Sequence, residues 1–213
     1  MVSAGGDFLR LPALTVLTLL AGCGPGLFVS DAARGIYSSA APAVVAVEAA
    51  GRAATAIGSG VVVARERVLT ACHVLDSGSS IRVRHGSRAY PARVIRSEPG
   101  ADLCELSVPA LPAAPARMAA SSSLHRGDAV YALAVPGGYR VELSEGRFAG
   151  AVRHQGYALL QTSARIDRGW SGGGLFARDG ELVGILSFLL DSPGGDLNYA
   201  VAADSLSPGA SGR

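Results

Sequence analysis

Gly169-Trp170-Ser171-Gly172-Gly173 sets a serine among glycines, with a strand-like apolar pattern resuming at Leu175. Glycines let a backbone turn sharply and leave room for a carbonyl beside an exposed hydroxyl, which is the setting of a serine nucleophile. A serine hydroxyl is weak at neutral pH, so the chain must also hold a base and a group that orients the base. Of the four histidines, His85, His125 and His154 stand next to arginines in polar turns and loops, which suits a solvated surface. His73 differs, because it closes an apolar run after Leu69-Thr70-Ala71-Cys72, where packing at a strand end would hold its ring. Asp76, Asp128, Asp179, Asp191 and Asp196 lie in turns, whereas Asp102 opens the alternating stretch Leu103-Cys104-Glu105-Leu106. A carboxylate at the mouth of a buried strand is costly unless hydrogen-bonded, and an imidazole N–H is a suitable partner. The plainer alternative for Asp102 is a turn cap after Pro99-Gly100.

The elements that must position these residues read as strands. The 213 residues are enough for one large domain or two small lobes, with ample apolar content for a core. There is no lysine, and a net charge of +2 from scattered arginines gives no footprint for nucleic acid. Short runs rich in Val, Ile, Leu and Thr, broken by Gly, Pro and Ser, recur from residue 43 to about 203, roughly a dozen in all, with no long helical period between them. An all-β sandwich or barrel follows. Gly58-Ser59-Gly60 falls inside one such run, where glycine marks a bulge or a close backbone approach. Residues 109–115 are Pro/Ala-rich and read as a connector between lobes. Ahead of the strands, residues 1–22 read as a signal peptide: Leu11–Leu20 has the length of its apolar region and is short for a membrane span. Leu20-Ala21-Gly22-Cys23 resembles the lipobox of bacterial lipoproteins, which implies lipidation of Cys23, with 23–42 as a tether. An ordinary secretory signal, or a buried helix with a free cysteine, is the alternative. Residues 204–213 read as a disordered tail.

Taken in order, His73, Asp102 and Ser171 stand as His…Asp…Ser, the order of the chymotrypsin-type triad. Leu69-Thr70-Ala71-Cys72-His73-Val74, Ala101-Asp102-Leu103-Cys104 and Gly169-Trp170-Ser171-Gly172-Gly173 resemble the three motifs of trypsin-like serine proteases, the last in its bacterial Deg/HtrA form. The resemblance covers about residues 43–203, with no PDZ segment after it. It implies two six-stranded antiparallel β-barrels, about 43–110 and 116–203, with His73, Asp102 and Ser171 in the cleft between them. The activity it implies is serine endopeptidase, with His73 as base, Asp102 as orienter, Ser171 as nucleophile, and the N–H groups of Gly169 and Ser171 as the oxyanion hole. Digestive members carry aspartate before the serine, to pair with a freed N-terminus. Trp170 stands there instead, so the oxyanion loop is either preformed by packing of Trp170 or ordered by ligand.

The same resemblance places Arg165 near the base of the specificity pocket, where it would favour acidic side chains, a solvated loop being the alternative. It makes Ser187-Phe188-Leu189 the strand that pairs with extended substrate. If His73 and Asp102 touch, Cys72 and Cys104 are close, and in an exported chain they would form a disulfide; two buried thiols are the alternative. No zinc-ribbon spacing is present, and no metal or cofactor is expected. The expected partners are a polypeptide substrate and, through Cys23, an envelope membrane, facing the periplasm or the cell surface. Two rival readings stand beside this one. An α/β-hydrolase matches G-x-S-x-G but needs its histidine after the serine, and all four histidines precede Ser171. A trypsin-fold lipoprotein that has lost turnover and serves as a binding module is the other.

Overall fold

A computed structural model describes Met1 and residues 30–76, 78–187 and 198–206. Cys23, Phe188, Leu189, the signal-peptide segment and most of the expected tail lie outside the described residues. Twelve strands are described, and they close into two antiparallel barrels. The first contains β1 (Val44–Ala50), β2 (Thr55–Ala64), β3 (Arg67–Ala71), β4 (Ser80–His85), β5 (Arg88–Glu98) and β6 (Leu103–Ser107), in the spatial order β1-β2-β3-β6-β5-β4. The second contains β7 (Ala129–Ala134), β8 (Glu142–His154), β9 (Tyr157–Thr162), β10 (Gly174–Ala177), β11 (Leu182–Ser187) and β12 (Asn198–Ala202), in the order β10-β11-β12-β9-β8-β7. Closure removes open sheet edges. Register shifts at Val62/Ala64, Val94/Arg96, Phe148/Gly150 and Leu175/Phe176 bend the strands enough to close each barrel.

Side-chain alternation along β7 shows how the barrels share their apolar surface. Tyr131 and Leu133 face the first core cluster, while Val130, Ala132 and Ala134 face the second. In β11, Leu182 and Ile185 join the first cluster, and Val183 and Leu186 the second. Each fully buried side chain of this size contributes about 1.5–3 kcal/mol relative to exposure. The barrels are therefore fused through packed side chains, which fixes the cleft between them. A polar contact adds to this: the β8–β9 hairpin places Tyr157 so that its hydroxyl donates to Glu98 Oε2 of the first barrel at 3.1 Å.

The expected tether over 23–42 needs correction at its C-terminal half. Asp31–Ala40 forms a helix, α1, followed by a 3₁₀ turn over Ala41–Ala43. Ser30 caps it by accepting the Ala33 N–H at 3.0 Å. Ala33, Ile36 and Ala40 are buried on one face, and the Tyr37 hydroxyl donates to the Val141 carbonyl at 3.2 Å. The small residues that read as a tether are what lets this helix lie close to the barrels. Likewise the expected tail over 204–213 needs correction at its start, since Ala203–Leu206 is a 3₁₀ turn with Leu206 buried. Among the described residues, no helix is long and apolar enough to cross a membrane.

Candidate active site

His73 lies two residues past the end of β3, in a 3₁₀ turn over Cys72–Val74. Asp102 lies just before β6, and β3 and β6 are paired, with Ala71 opposite Leu103. This pairing brings the two together across the sheet. Asp102 adopts φ +51°, ψ +39° at the end of the 3₁₀ turn Pro99–Ala101, a left-handed conformation that aspartate tolerates better than most residues. There its carbonyl accepts the Cys72 N–H at 3.1 Å, and its carboxylate turns onto the histidine. Oδ1 accepts the His73 backbone N–H at 2.9 Å, and Oδ2 lies 2.7 Å from His73 Nδ1. The Cys72–Cys104 disulfide closes over the same junction, with Cα atoms 5.0 Å apart. It ties the residue before His73 to the second residue after Asp102.

The Ser187 hydroxyl, at the end of β11, donates to Asp102 Oδ2 at 2.6 Å. Sequence reasoning gave Ser187 a substrate-pairing role and missed this one. The available signal was a hydroxyl ending the otherwise apolar run Leu182–Leu186, where a buried polar group requires a partner. Burial works to raise the Asp102 pKa. The hydrogen bonds from the His73 ring, Ser187 and the His73 amide, with the attraction of the imidazole, outweigh it and hold the carboxyl below its usual range. An ionised carboxylate can only accept, so His73 Nδ1 carries the proton, and in the neutral ring Nε2 is left as a base.

Ser171 and Gly169 lie on the loop before β10. The Trp170 N–H donates to the Asp167 carbonyl at 3.0 Å, closing a turn with Arg168 and Gly169 at its centre. Gly169 has φ +84° while Arg168 is not left-handed, the pattern of a type II turn, which requires a glycine-like residue at its third position. The Trp170 carbonyl accepts the Gly173 N–H at 2.9 Å, so the Ser171 N–H, on the opposite side of that peptide, points away from Gly173. Among the described residues, the N–H groups of Gly169 and Ser171 have no intramolecular acceptor. Trp170 is 7% exposed and belongs to the second-barrel core cluster with Leu175 and Leu186. Its packing against that core ties the loop to the second barrel.

His73, Gly169 and Ser171 line one cavity of about 250 Å³, together with Ala56, Ile57, Val74 and Arg168. Arg165, the residue put forward for the specificity pocket, is exposed, and its N–H donates to the Ser144 hydroxyl at 2.9 Å. The cation on the cavity wall is Arg168. A larger groove of about 650 Å³, walled by Asp128, Arg147, Arg178 and Asp179, contains no histidine or nucleophile paired with a base. Among the described residues, no group of three or more His, Cys, Asp or Glu is placed to hold a metal ion.

Two closed barrels, a half-buried Asp–His pair on one and a glycine-flanked serine on the other define the class of two-barrel serine peptidases. The chain belongs to the trypsin-like peptidase domain family, whose model matches residues 58–185. Within that family its relatives are of the DegP/HtrA kind. It is 33% identical over 161 residues to a probable periplasmic serine endoprotease DegP-like of Marinomonas sp. (strain MWYL1), covering 71% of this chain and 34% of that protein. It is 31% identical over 159 residues to the periplasmic serine endoprotease DegP of Escherichia coli (strain K12), covering 70% of this chain and 34% of that protein. The match thus spans about a third of the length of these relatives. Among solved structures, HtrA-type protease AlgW with tripeptide superposes with a TM-score of 0.72 at 27% identity, over 80% of this chain and 60% of that chain. The active form of the Rv3671c protease from M. tuberculosis shares the fold, with a TM-score of 0.74 at 23% identity over 94% and 90% of the two chains.

Proposed function

We propose that the chain is an exported serine endopeptidase that cleaves polypeptides through an acyl-enzyme. The observation that carries this reading is the 2.7 Å contact between His73 Nδ1 and Asp102 Oδ2, with His73 and Ser171 on one cavity wall beside two unpartnered amides. Ser171 Oγ attacks the scissile carbonyl while His73 Nε2 takes its proton. The carbonyl oxygen becomes an oxyanion and is received by the Gly169 and Ser171 N–H groups, each such donor being worth about 3 kcal/mol of barrier. The tetrahedral centre collapses, the C–N bond breaks, and His73 delivers the proton to the leaving amine. Water, deprotonated by His73, then attacks the Ser171 ester; the acyl C–Oγ bond breaks and His73 returns the proton to Ser171 Oγ. Asp102 holds the ring tautomer and stabilises the imidazolium throughout.

Export and anchoring rest on separate support. Leu20-Ala21-Gly22-Cys23 fits lipidation of Cys23, the Cys72–Cys104 disulfide suits an oxidising compartment, and the DegP relatives are named periplasmic. Cleavage of an unfolded protein substrate tests the activity: Ser171→Ala and His73→Ala abolish it while wild type turns over. Folded wild type that binds the substrate without cleaving it identifies a binding module instead. Incorporation of an alkyne fatty acid, lost in Cys23→Ser, tests the anchor, and equal incorporation in both chains refutes it.

A further inference from the structure

Ser59 lies in β2 of the first barrel, is fully buried, and uses every polar atom it has. Its N–H donates to the Ser171 carbonyl at 2.8 Å. Its carbonyl accepts the Thr70 hydroxyl at 2.7 Å. Its hydroxyl lies 2.9 Å from the Gly169 carbonyl and 2.9 Å from the Val135 nitrogen. The direction of these last two bonds is forced. An amide N–H can only donate, so the hydroxyl accepts from Val135, and its single proton goes to Gly169. The fit leaves no slack: a Cβ on Gly172 would stand 2.0 Å from the Ser59 carbonyl, and one on Gly58 would stand 3.0 Å from the Ser171 carbonyl.

We infer that Ser59 is a positioning residue for the oxyanion turn, latching it from the opposite barrel; this rests on the serine-peptidase reading above. The peptide between Gly169 and Trp170 is held at both of its polar atoms. Ser59 Oγ binds the carbonyl, and the Asp167 carbonyl binds the N–H. With that plane fixed, the turn is seated against the first barrel, and Gly169, whose N–H comes from the preceding peptide, is held on the cavity that also holds His73. The Ser59 N–H does the same for the peptide after Ser171. One residue of the first barrel thus sets the height of both the nucleophile and its oxyanion donors relative to His73, which sits on that barrel. A misplacement of about 1 Å in such a constellation costs about 10²-fold in rate.

The test compares wild type with Ser59→Ala and Ser59→Cys, the latter keeping the side chain's shape while weakening its donor. Folding is checked by the Cys72–Cys104 disulfide and by the low-field NMR resonance of the His73 Nδ1 proton. The expectation is a kcat lowered about 10- to 100-fold in Ser59→Ala, a near-constant KM, an intermediate kcat in Ser59→Cys, and affinity for a peptide aldehyde lowered in step with kcat. The low-field proton stays in place, since the His73–Asp102 pair does not touch Ser59. If Ser59→Ala does not fold, Ser59→Cys is read alone, and full kcat there overturns the inference. So does a folded Ser59→Ala that keeps its kcat or changes only in KM. If wild type fails to turn over any substrate, the serine-peptidase reading fails separately. The latch is then read from the Gly169 amide in ¹⁵N-glycine-labelled protein: a peak shifted or broadened by Ser59→Ala supports it, and an unmoved peak overturns it.

Discussion

Gly169→Ala separates the oxyanion hole from every other part of the site. Gly169 has φ +84°, and a Cβ there would meet the Pro136 Cα at 3.2 Å. Holding alanine in the left-handed region costs about 1–2 kcal/mol, before the contact with Pro136 is relieved. The cheapest relief is conversion of the 167–170 turn from type II to type I, which moves its third residue to negative φ by flipping the peptide between residues 168 and 169. The flip exchanges the Gly169 N–H for the Arg168 carbonyl on the cavity side. The hole then loses one donor and gains a repelling oxygen. Loss of one donor alone costs about 10²–10³ in kcat, or about 2.7–4 kcal/mol. The two effects fall on different measurements. Denaturant unfolding should show a stability loss no larger than about 2 kcal/mol, while steady-state hydrolysis of a chromogenic peptide should show kcat down at least about 10²-fold with KM little changed. A variant destabilised as expected but retaining kcat within about threefold would refute the assignment of the Gly169 N–H as an oxyanion donor.

Other outcomes follow from the same contacts. Asp102→Asn should lower kcat by about 10⁴, because an amide no longer fixes the His73 tautomer, and stopped kinetics across pH would check it. The folded carboxyl of Asp102 is depressed, so its contribution to stability is fully present above the unfolded value of about 3.9 and is lost as pH falls through the lower folded value. Wild type's stability margin over Asp102→Asn should therefore be flat above about pH 5 and shrink below about pH 4, and a margin unchanged at pH 2 would contradict this. Ser187→Ala removes one donor from the half-buried carboxylate, so it should raise the Asp102 pKa and cost about 1–3 kcal/mol by denaturant unfolding, without changing the fold. Opening the Cys72–Cys104 bond, 32 residues apart in sequence, should cost about 4 kcal/mol on the chain-entropy account and loosen the His73–Asp102 pair, read as lower Tm and lower kcat in Cys72→Ser/Cys104→Ser.

The residues gathered at the candidate site were legible because each stands out against an apolar pattern: His73 closing one run, Asp102 opening another, Ser171 among glycines. Strand content was legible for the same reason, since period-two patterning survives in short runs. Helix α1 was not, because Ala33, Gly35, Ser38 and Ser39 give a weak apolar face, and its stability comes from Ile36 and Ala40 packing on the barrels. Ser59 and Ser187 were not legible as to role: a buried hydroxyl announces that it has a partner, but the partners lie 110 and 85 residues away across the barrel interface. That Arg168 lines the cavity with His73, while Arg165 does not, has a similar origin. Ala164 and Ile166 point into the second core, which turns Arg165 outward, while Arg168 in the following turn lines the cavity.

The central claim is that Ser171 is a nucleophile activated by His73 and served by a preformed oxyanion hole. Intact-mass analysis after exposure to a fluorophosphonate tests it most directly. The account predicts a single covalent adduct on the folded protein, mapped to Ser171, absent in Ser171→Ala and strongly slowed in His73→Ala. Well-folded wild type that stays unmodified, or an adduct that persists in Ser171→Ala, would contradict it.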